Sequence, residues 1–284
     1  MRPAMIVVAI VAAFLSAGTA AAATPAQDAA RYLETRQQAD GGFAEPGGRS
    51  TPGLTAWAVL GLRAAGRPAS SLGGARAYLE RSAGDLAVAT DLELVLTARA
   101  ALGERPPELV ARLERLVRHD GRIGPTVSST IWGAIALRSV GRRVPPATVR
   151  WLLRRQRPSG GWSWSVRGAP DSNDTAAAVQ ALRAAGVGRR PIARALAFLE
   201  RHRNRDGGYE LLAGRGSDVQ STAWAVQALA AAGRRPPAAA LRYLARMRRP
   251  DGSYRYSTRY VATPVWVTAQ AAAALARKPL PLRS

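Results

Sequence analysis

The stretch TAWAVLGLRAAG, residues 55–66, returns without a gap as TIWGAIALRSVG (130–141), TAAAVQALRAAG (175–186) and TAWAVQALAAAG (222–233). Two looser copies, DLELVLTARAALG (91–103) and TAQAAAALARK (268–278), bring the number to six. The closing glycines Gly66, Gly103, Gly141, Gly186 and Gly233 follow one another at 37, 38, 45 and 47 residues. That period suits a helix, a loop, a second helix and a short turn.

Most copies are preceded by another helical stretch that ends in a glycine corner: YLETRQQADGGF (32–43), RLERLVRHDGRI (112–123), WLLRRQRPSGGW (151–162), FLERHRNRDGGY (198–209) and YLARMRRPDGSY (243–254). Leucines and aromatics three and four residues apart mark a buried stripe, with Arg and Glu on the other face. Glycine ends the helix, and Phe43, Trp162, Tyr209 or Tyr254 can then fold back as an apolar plug. The second unit, ARAYLERSAGDLAVATD, lacks the corner and reads as a shortened repeat. Six units predict an all-α chain of six helical hairpins, about twelve helices. The last unit stays apolar through VWVTAQAAAALA, with only KPLPLRS after it. A ring that hides its first and last hairpins against each other is therefore expected in place of an open superhelix. The Ala-rich helices should form the inner layer and the Arg-rich helices the outer one.

Arg2 and the apolar run Met5–Leu15, followed by small residues, predict a secretory signal over residues 1–22 and an exported domain over 23–284. The chain has no cysteine, which excludes disulfide-linked partners, a thiolate nucleophile and thiolate metal ligands. A net charge of +22, nearly all of it arginine, implies attraction to an anionic cell-envelope surface. It is spread along helix faces, and no nucleic-acid module is visible, so no nucleic-acid partner is expected. A monomer without cofactor is expected.

These repeats resemble those of squalene and hopene cyclases and of protein prenyltransferase beta subunits, over roughly residues 27–277. Gln156, Gly160 and Trp162 match the cyclases' glutamine and tryptophan motif, and Gln37, Gly41 and Phe43 match it with Phe for Trp. The resemblance implies an alpha/alpha toroid. DSNDTA, Asp171 to Ala176, is similar to the cyclases' Asp-x-Asp-Asp-Thr-Ala segment. It aligns Asp171 with the first aspartate, Asn173 with the middle, proton-donating one and Asp174 with the last. An amide has no titratable proton to give an alkene, so a toroid that binds without cyclising is expected. The prenyltransferases' zinc ligands, an aspartate, a cysteine and a histidine, have no counterpart, and His119 and His202 read as helix-end surface residues. No metal site is expected.

The same residues have a plain structural reading. Asp171 can cap a helix while Asp174 answers in a capping box, and the fifth unit repeats the pattern with Asp218, Gln220 and Ser221. As a catalytic group, Asp171, Asp174 and Asp218 are the weak candidates, for a divergent terpenoid cyclase or a carbohydrate-active enzyme with paired acids. As a polar rim, Asp171, Asn173, Asp174, Asp218 and Gln220 could touch a ligand. Trp57, Trp132 and Trp224 each stand two residues after the repeated threonine, and Trp266 opens the last inner helix. They could line a chamber for an isoprenoid, lipid or sugar face, or wedge helices together. Trp162 and Trp164 are expected near an opening. The function expected is a hydrophobic or amphipathic ligand held in a central cavity. The alternatives are a structural or protein-binding scaffold and an enzyme.

Overall fold

The computed structural model describes residues 23–282, so the expected signal over 1–22 lies outside the described residues. Twelve α-helices pair as six hairpins: α1 (Pro25–Glu34) with α2 (Pro52–Ala64), α3 (Gly73–Arg81) with α4 (Ala89–Ala101), and α5 (Pro107–Arg115) with α6 (Val127–Ser139). The series continues with α7 (Pro146–Arg155) and α8 (Ser172–Ala184), α9 (Arg189–Arg201) and α10 (Val219–Ala231), and α11 (Ala238–Met247) and α12 (Pro264–Leu275). Among the described residues strand pairing occurs only as isolated bridges in the loops between helices. In the second unit, whose sequence lacks the glycine corner, a 3-10 turn, Ser82–Asp85, stands in its place.

Each even-numbered helix packs on the next, and α12 packs on α2, so the inner layer is a closed ring. At that seam a Cβ on Gly61 would lie 2.7 Å from the carbonyl oxygen of Ala269, so only glycine lets the two backbones approach this closely. The inner helices are buried nearly all round: in α12 every residue from Val267 to Ala274 is buried. Outer helices bury one stripe, as α5 does with Leu109, Val110 and Leu113.

One hydrogen bond recurs in five of the six hairpins. The plug residue's N–H donates to the hydroxyl of the repeated threonine on the following inner helix. The pairs are Phe43 to Thr55, Trp162 to Thr175, Tyr209 to Thr222 and Tyr254 to Thr268, all at 2.9 Å, and Ile123 to Thr130 at 3.2 Å. The threonine thus satisfies a buried donor that no helix or sheet ladder could reach.

The corner also joins neighbouring repeats. Gly160, with φ +95°, sits so close to α9 that a Cβ would meet the Arg194 carbonyl oxygen at 2.3 Å. Gln156 fixes the same corner, donating from Nε2 to the carbonyls of Gly160 and Pro191 at 2.9 Å each. In the last repeat Gly252 lies in the same way over the Asp28 carbonyl of α1, which closes the outer layer too.

Candidate functional site

The N-termini of the inner helices converge on one mouth of the ring, and their orphan N–H groups are met largely from within the fold. The loops leading into α8, α10 and α12 each reach over the N-terminus of the inner helix before it. The Trp164 carbonyl accepts from Val127 and Ser128 at 3.1 Å, the Leu211 carbonyl from Ser172 at 3.0 Å, and the Tyr256 carbonyl from Val219 at 2.8 Å. Across the seam the Glu45 carboxylate takes the N–H groups of Val265 and Trp266 on α12, both at 2.9 Å. The positive end of α12 therefore already holds an anion.

Asp171 is the N-cap of α8: its carboxylate accepts the Asp174 N–H at 2.8 Å, and its own N–H goes to the Trp162 carbonyl at 3.0 Å. That second bond corrects the expected capping box. With the Asp171 N–H taken by the plug residue, the Asp174 side chain turns to Ser128 of α6 and to the Asp171 carboxyl. Burial, and then the neighbouring charge of Asp171, push Asp174 up to about 8, against the hydrogen bond from Ser128. Burial raises Asp171 as well. Burial and mutual repulsion thus favour the protonated form of Asp174 over a doubly ionised pair. Asn173, one turn position away and half-buried, contributes an amide only.

Asp218 repeats the N-cap on α10, accepting from the N–H of Ser221 at 2.7 Å and from its hydroxyl at 2.8 Å. It is 4% exposed, and burial pushes it up to about 6. It borders a cleft of about 470 Å³ between the loops before α10 and α12, beside Arg215, Tyr256, Arg259 and Tyr260. Gln220 stands half-buried on the next turn. Asp218 keeps to its own turn and has no bond to the Asp171–Asp174 pair.

Trp57, Trp132 and Trp224 come from alternate inner helices and meet one another. Their ring centroids are 5.5, 5.7 and 5.6 Å apart and their planes 87–90°, so each indole is edge-on to the next. Each such contact contributes about 1 kcal/mol beyond burial. In the intervening helices the same repeat position holds Leu94, Ala177 and Gln270, which makes room for the indoles. The triad is thus a three-fold closure across the ring rather than three separate wall panels.

Two family models match the chain: the squalene-hopene cyclase C-terminal domain over residues 145–265 and the prenyltransferase alpha-alpha toroid domain over residues 1–81. Among solved structures the chain resembles a protein from Actinoplanes, with 20% identity and a TM-score of 0.66 over 89% of this chain and 98% of that one. It also resembles the type II terpene cyclase MstE from Scytonema, with 18% identity and a TM-score of 0.68 over 89% and 96%. The ent-copalyl diphosphate synthase from Streptomyces platensis is 23% identical, with a TM-score of 0.57, and the match covers 80% of this chain and half of that one. No curated protein matches in sequence. The chain has the alpha/alpha toroid fold, and two of its segments match models of the squalene-hopene cyclase and prenyltransferase families.

Within this toroid the other expected site residues separate. Trp162 is fully buried and its indole N–H donates to the Leu152 carbonyl at 2.7 Å, so it is a plug of the wall and does not reach an opening. Trp164 is 61% exposed at the mouth. Trp266 is half-buried beside Glu45. His119 is exposed, but His202 is buried, stacked on Phe198 with centroids 4.3 Å apart and Nδ1 on the Phe198 carbonyl, which corrects its expected surface position. The described residues hold no group of three or more His, Cys, Asp or Glu able to bind a metal. Sequence reasoning missed Glu45 and Ser128. Both act across repeats, and only Glu45's place just after the first corner hinted at a role.

Proposed function

We propose that this toroid binds the end of an isoprenoid-like or lipid-like ligand at the N-terminal mouth, above the tryptophan triad, without cyclising it. The triad carries this reading. A cyclase must enclose a long chain in folded form beside a proton donor, whereas here three indoles touch across the ring and Asn173 occupies the place that resembles the donor's. Exposed apolar side chains support entry from this side: Val88, Trp164, Val166, Tyr260 and Val261 all lie in the loops before α4, α8 and α12. MstE has been solved with geranylgeranyl dihydroxybenzoate as substrate, which suggests the ligand class to try first. The proposal includes export and a hold on an anionic envelope surface, supported by the net charge of +22.

The test is native mass spectrometry of the protein with geranylgeraniol and with a lipid extract, paired with tryptophan fluorescence. A stoichiometric adduct that shifts the emission and is weakened by Trp164→Ala supports the reading. A bare protein mass, under conditions where a control protein keeps its lipid, sinks it.

A second reading, acid-initiated chemistry, is favoured by the burial of Asp174 against Asp171, which raises its carboxyl toward the protonated form. The size of the chain does not oppose it, since the match to MstE covers 96% of that cyclase with a chain of this length. Incubation with geranylgeranyl substrates and analysis for cyclised product decides it. Product that disappears in Asp174→Asn would replace the binding reading, and product appearing only in Asn173→Asp would show that one missing acid had silenced the site.

A further inference from the structure

At the opposite mouth the inner helices end around the segment Lys278–Leu282. After α2, α4, α6, α8 and α10 a glycine with positive φ returns the chain toward the next outer helix. After α12 the corresponding turn is made by Arg277 at φ +53°, a conformation that costs a non-glycine residue about 1 kcal/mol. The chain then crosses the mouth. Leu280 is 3% exposed and its N–H donates to Gln180 Oε1 of α8 at 2.7 Å.

Two clefts of about 400 and 590 Å³ flank this segment. Arg105, Arg138 and Arg183 line the first, and Arg63, Arg277 and Lys278 the second, over floors that include Ala64, Ala101, Ala184 and Ala231. No carboxylate lines either cleft. Among the described residues none of the six cations is in an ion pair. Arg63 instead donates to the Ala101 carbonyl at the end of α4, and Arg138 and Arg183 to the carbonyls of Arg142 and Val187 in the turns after α6 and α8, which holds them in place and leaves their charge uncancelled. Further in, Gln227 holds in α10 the repeat position of Gln180 in α8. Both of its amide atoms and the Nε2 of Gln180 have no partner, although these residues are at most 1% exposed. Buried amides are ordinarily bonded, so hydrogen-bonding matter belongs beside them.

The geometry points to a second binding site at the C-terminal mouth, for a single-chain amphiphile with an anionic head group, whose place the segment Lys278–Leu282 fills when the ligand is absent. The arginines hold the head at the rim. The apolar part takes the alanine floor as Leu280 and Leu282 leave it, and the head-group oxygens accept from Gln180 Nε2, which lines the same cleft as Arg105, Arg138 and Arg183. Cleft volumes of this size suit a small molecule. The site is separate from the N-terminal mouth and stands or falls independently of the function proposed there.

The test is binding of dodecyl phosphate below its micellar concentration, followed by calorimetry, with dodecyl maltoside as the neutral control and inorganic phosphate as the bare ion. Dodecyl phosphate should bind, and the two controls should bind at least about tenfold more weakly. Arg138→Glu with Arg183→Glu should weaken it about tenfold, while Arg190→Glu on the outer surface leaves it unchanged. Removal of residues 279–284 should tighten it about tenfold. If that shortened chain does not fold, Leu280→Gly, which loosens the segment at one side chain, should tighten it in the same direction. Equal affinity for the maltoside or for free phosphate, or no change on loosening the segment, would overturn the proposal.

Discussion

Thr222 Oγ1 accepts the N–H of Tyr209 at 2.9 Å and donates to the Asp218 carbonyl at 2.7 Å, so one hydroxyl ties a plug residue to the first turn of α10. Thr222→Val keeps the shape and removes both bonds, leaving a buried N–H without a partner. Urea unfolding should show a loss of about 1–3 kcal/mol, and Thr222→Ser should recover most of it. Equal stability of the Val and Ser variants would mean that the methyl, and not the hydroxyl, accounts for the repeat of threonine.

Two glycines of nearly equal φ separate backbone strain from close approach. Gly66, at +94°, has nothing within 4 Å of where a Cβ would stand, whereas Gly160, at +95°, would press its Cβ on the Arg194 carbonyl at 2.3 Å. Gly66→Ala should lose about 1 kcal/mol from the left-handed conformation alone. Gly160→Ala carries that loss plus a backbone collision, and its melting temperature should fall clearly further. Identical shifts would show that the corner does not bear on α9.

Truncating one member of the triad tests how firmly the ring is closed. Trp132→Ala should lose about 3–5 kcal/mol, as large-to-alanine changes in packed interiors do. Trp132→Leu, which copies the residue that α4 already carries at this position, should lose less. Should the alanine variant cost under about 1 kcal/mol, the indoles would be lining a space rather than filling one.

Asp174 gives stability a sign with pH. An ordinary aspartate titrates at 3.8, while Asp174 is held up to about 8 by burial and by Asp171. Between these values the folded protein keeps a proton that the unfolded chain has released, so this contribution to stability is full below about 4 and is lost as pH rises toward 8. Asp218 adds a decline of the same sign that ends near 6. Glu93, raised well above the ordinary value by complete burial, adds a decline of the same sign extending to higher pH, so it is the comparison with a variant that shares Glu93 which isolates Asp174 and its partner Asp171. Unfolding of Asp174→Asn and the unmutated protein at pH 6, 7 and 8 should give diverging curves, with the variant gaining on its parent as pH rises. Parallel curves would mean that the carboxyl is ionised throughout.

The hairpins and the ring were legible because a repeat writes the same helix signals six times, at the small and apolar positions that pack side to side. Trp57, Trp132 and Trp224 were legible as equivalent positions, but their contact depends on the radius of the closed ring, which no local pattern encodes. The threonine stood out as a register mark, and its bond to a plug 13 residues earlier, as in Thr175 and Trp162, lies beyond helical spacing. Glu45 caps a helix 220 residues away in sequence, a contact that only closure creates. KPLPLRS read as a remainder after the last helix, since nothing in its composition reveals that Leu280 finds Gln180.

Closure also bears on how the toroid comes apart and how its sequence can change. In an open array the outermost repeat has one neighbour and frays first, and repeats can be gained or lost singly. Here the hairpin of α1 and α2 is flanked by that of α11 and α12, and every repeat has two neighbours. Unfolding has no end from which to start, so it should be cooperative over the whole ring. Deletion of one hairpin would leave a gap that five cannot span with Gly61 still against Ala269, which makes six a condition of the fold.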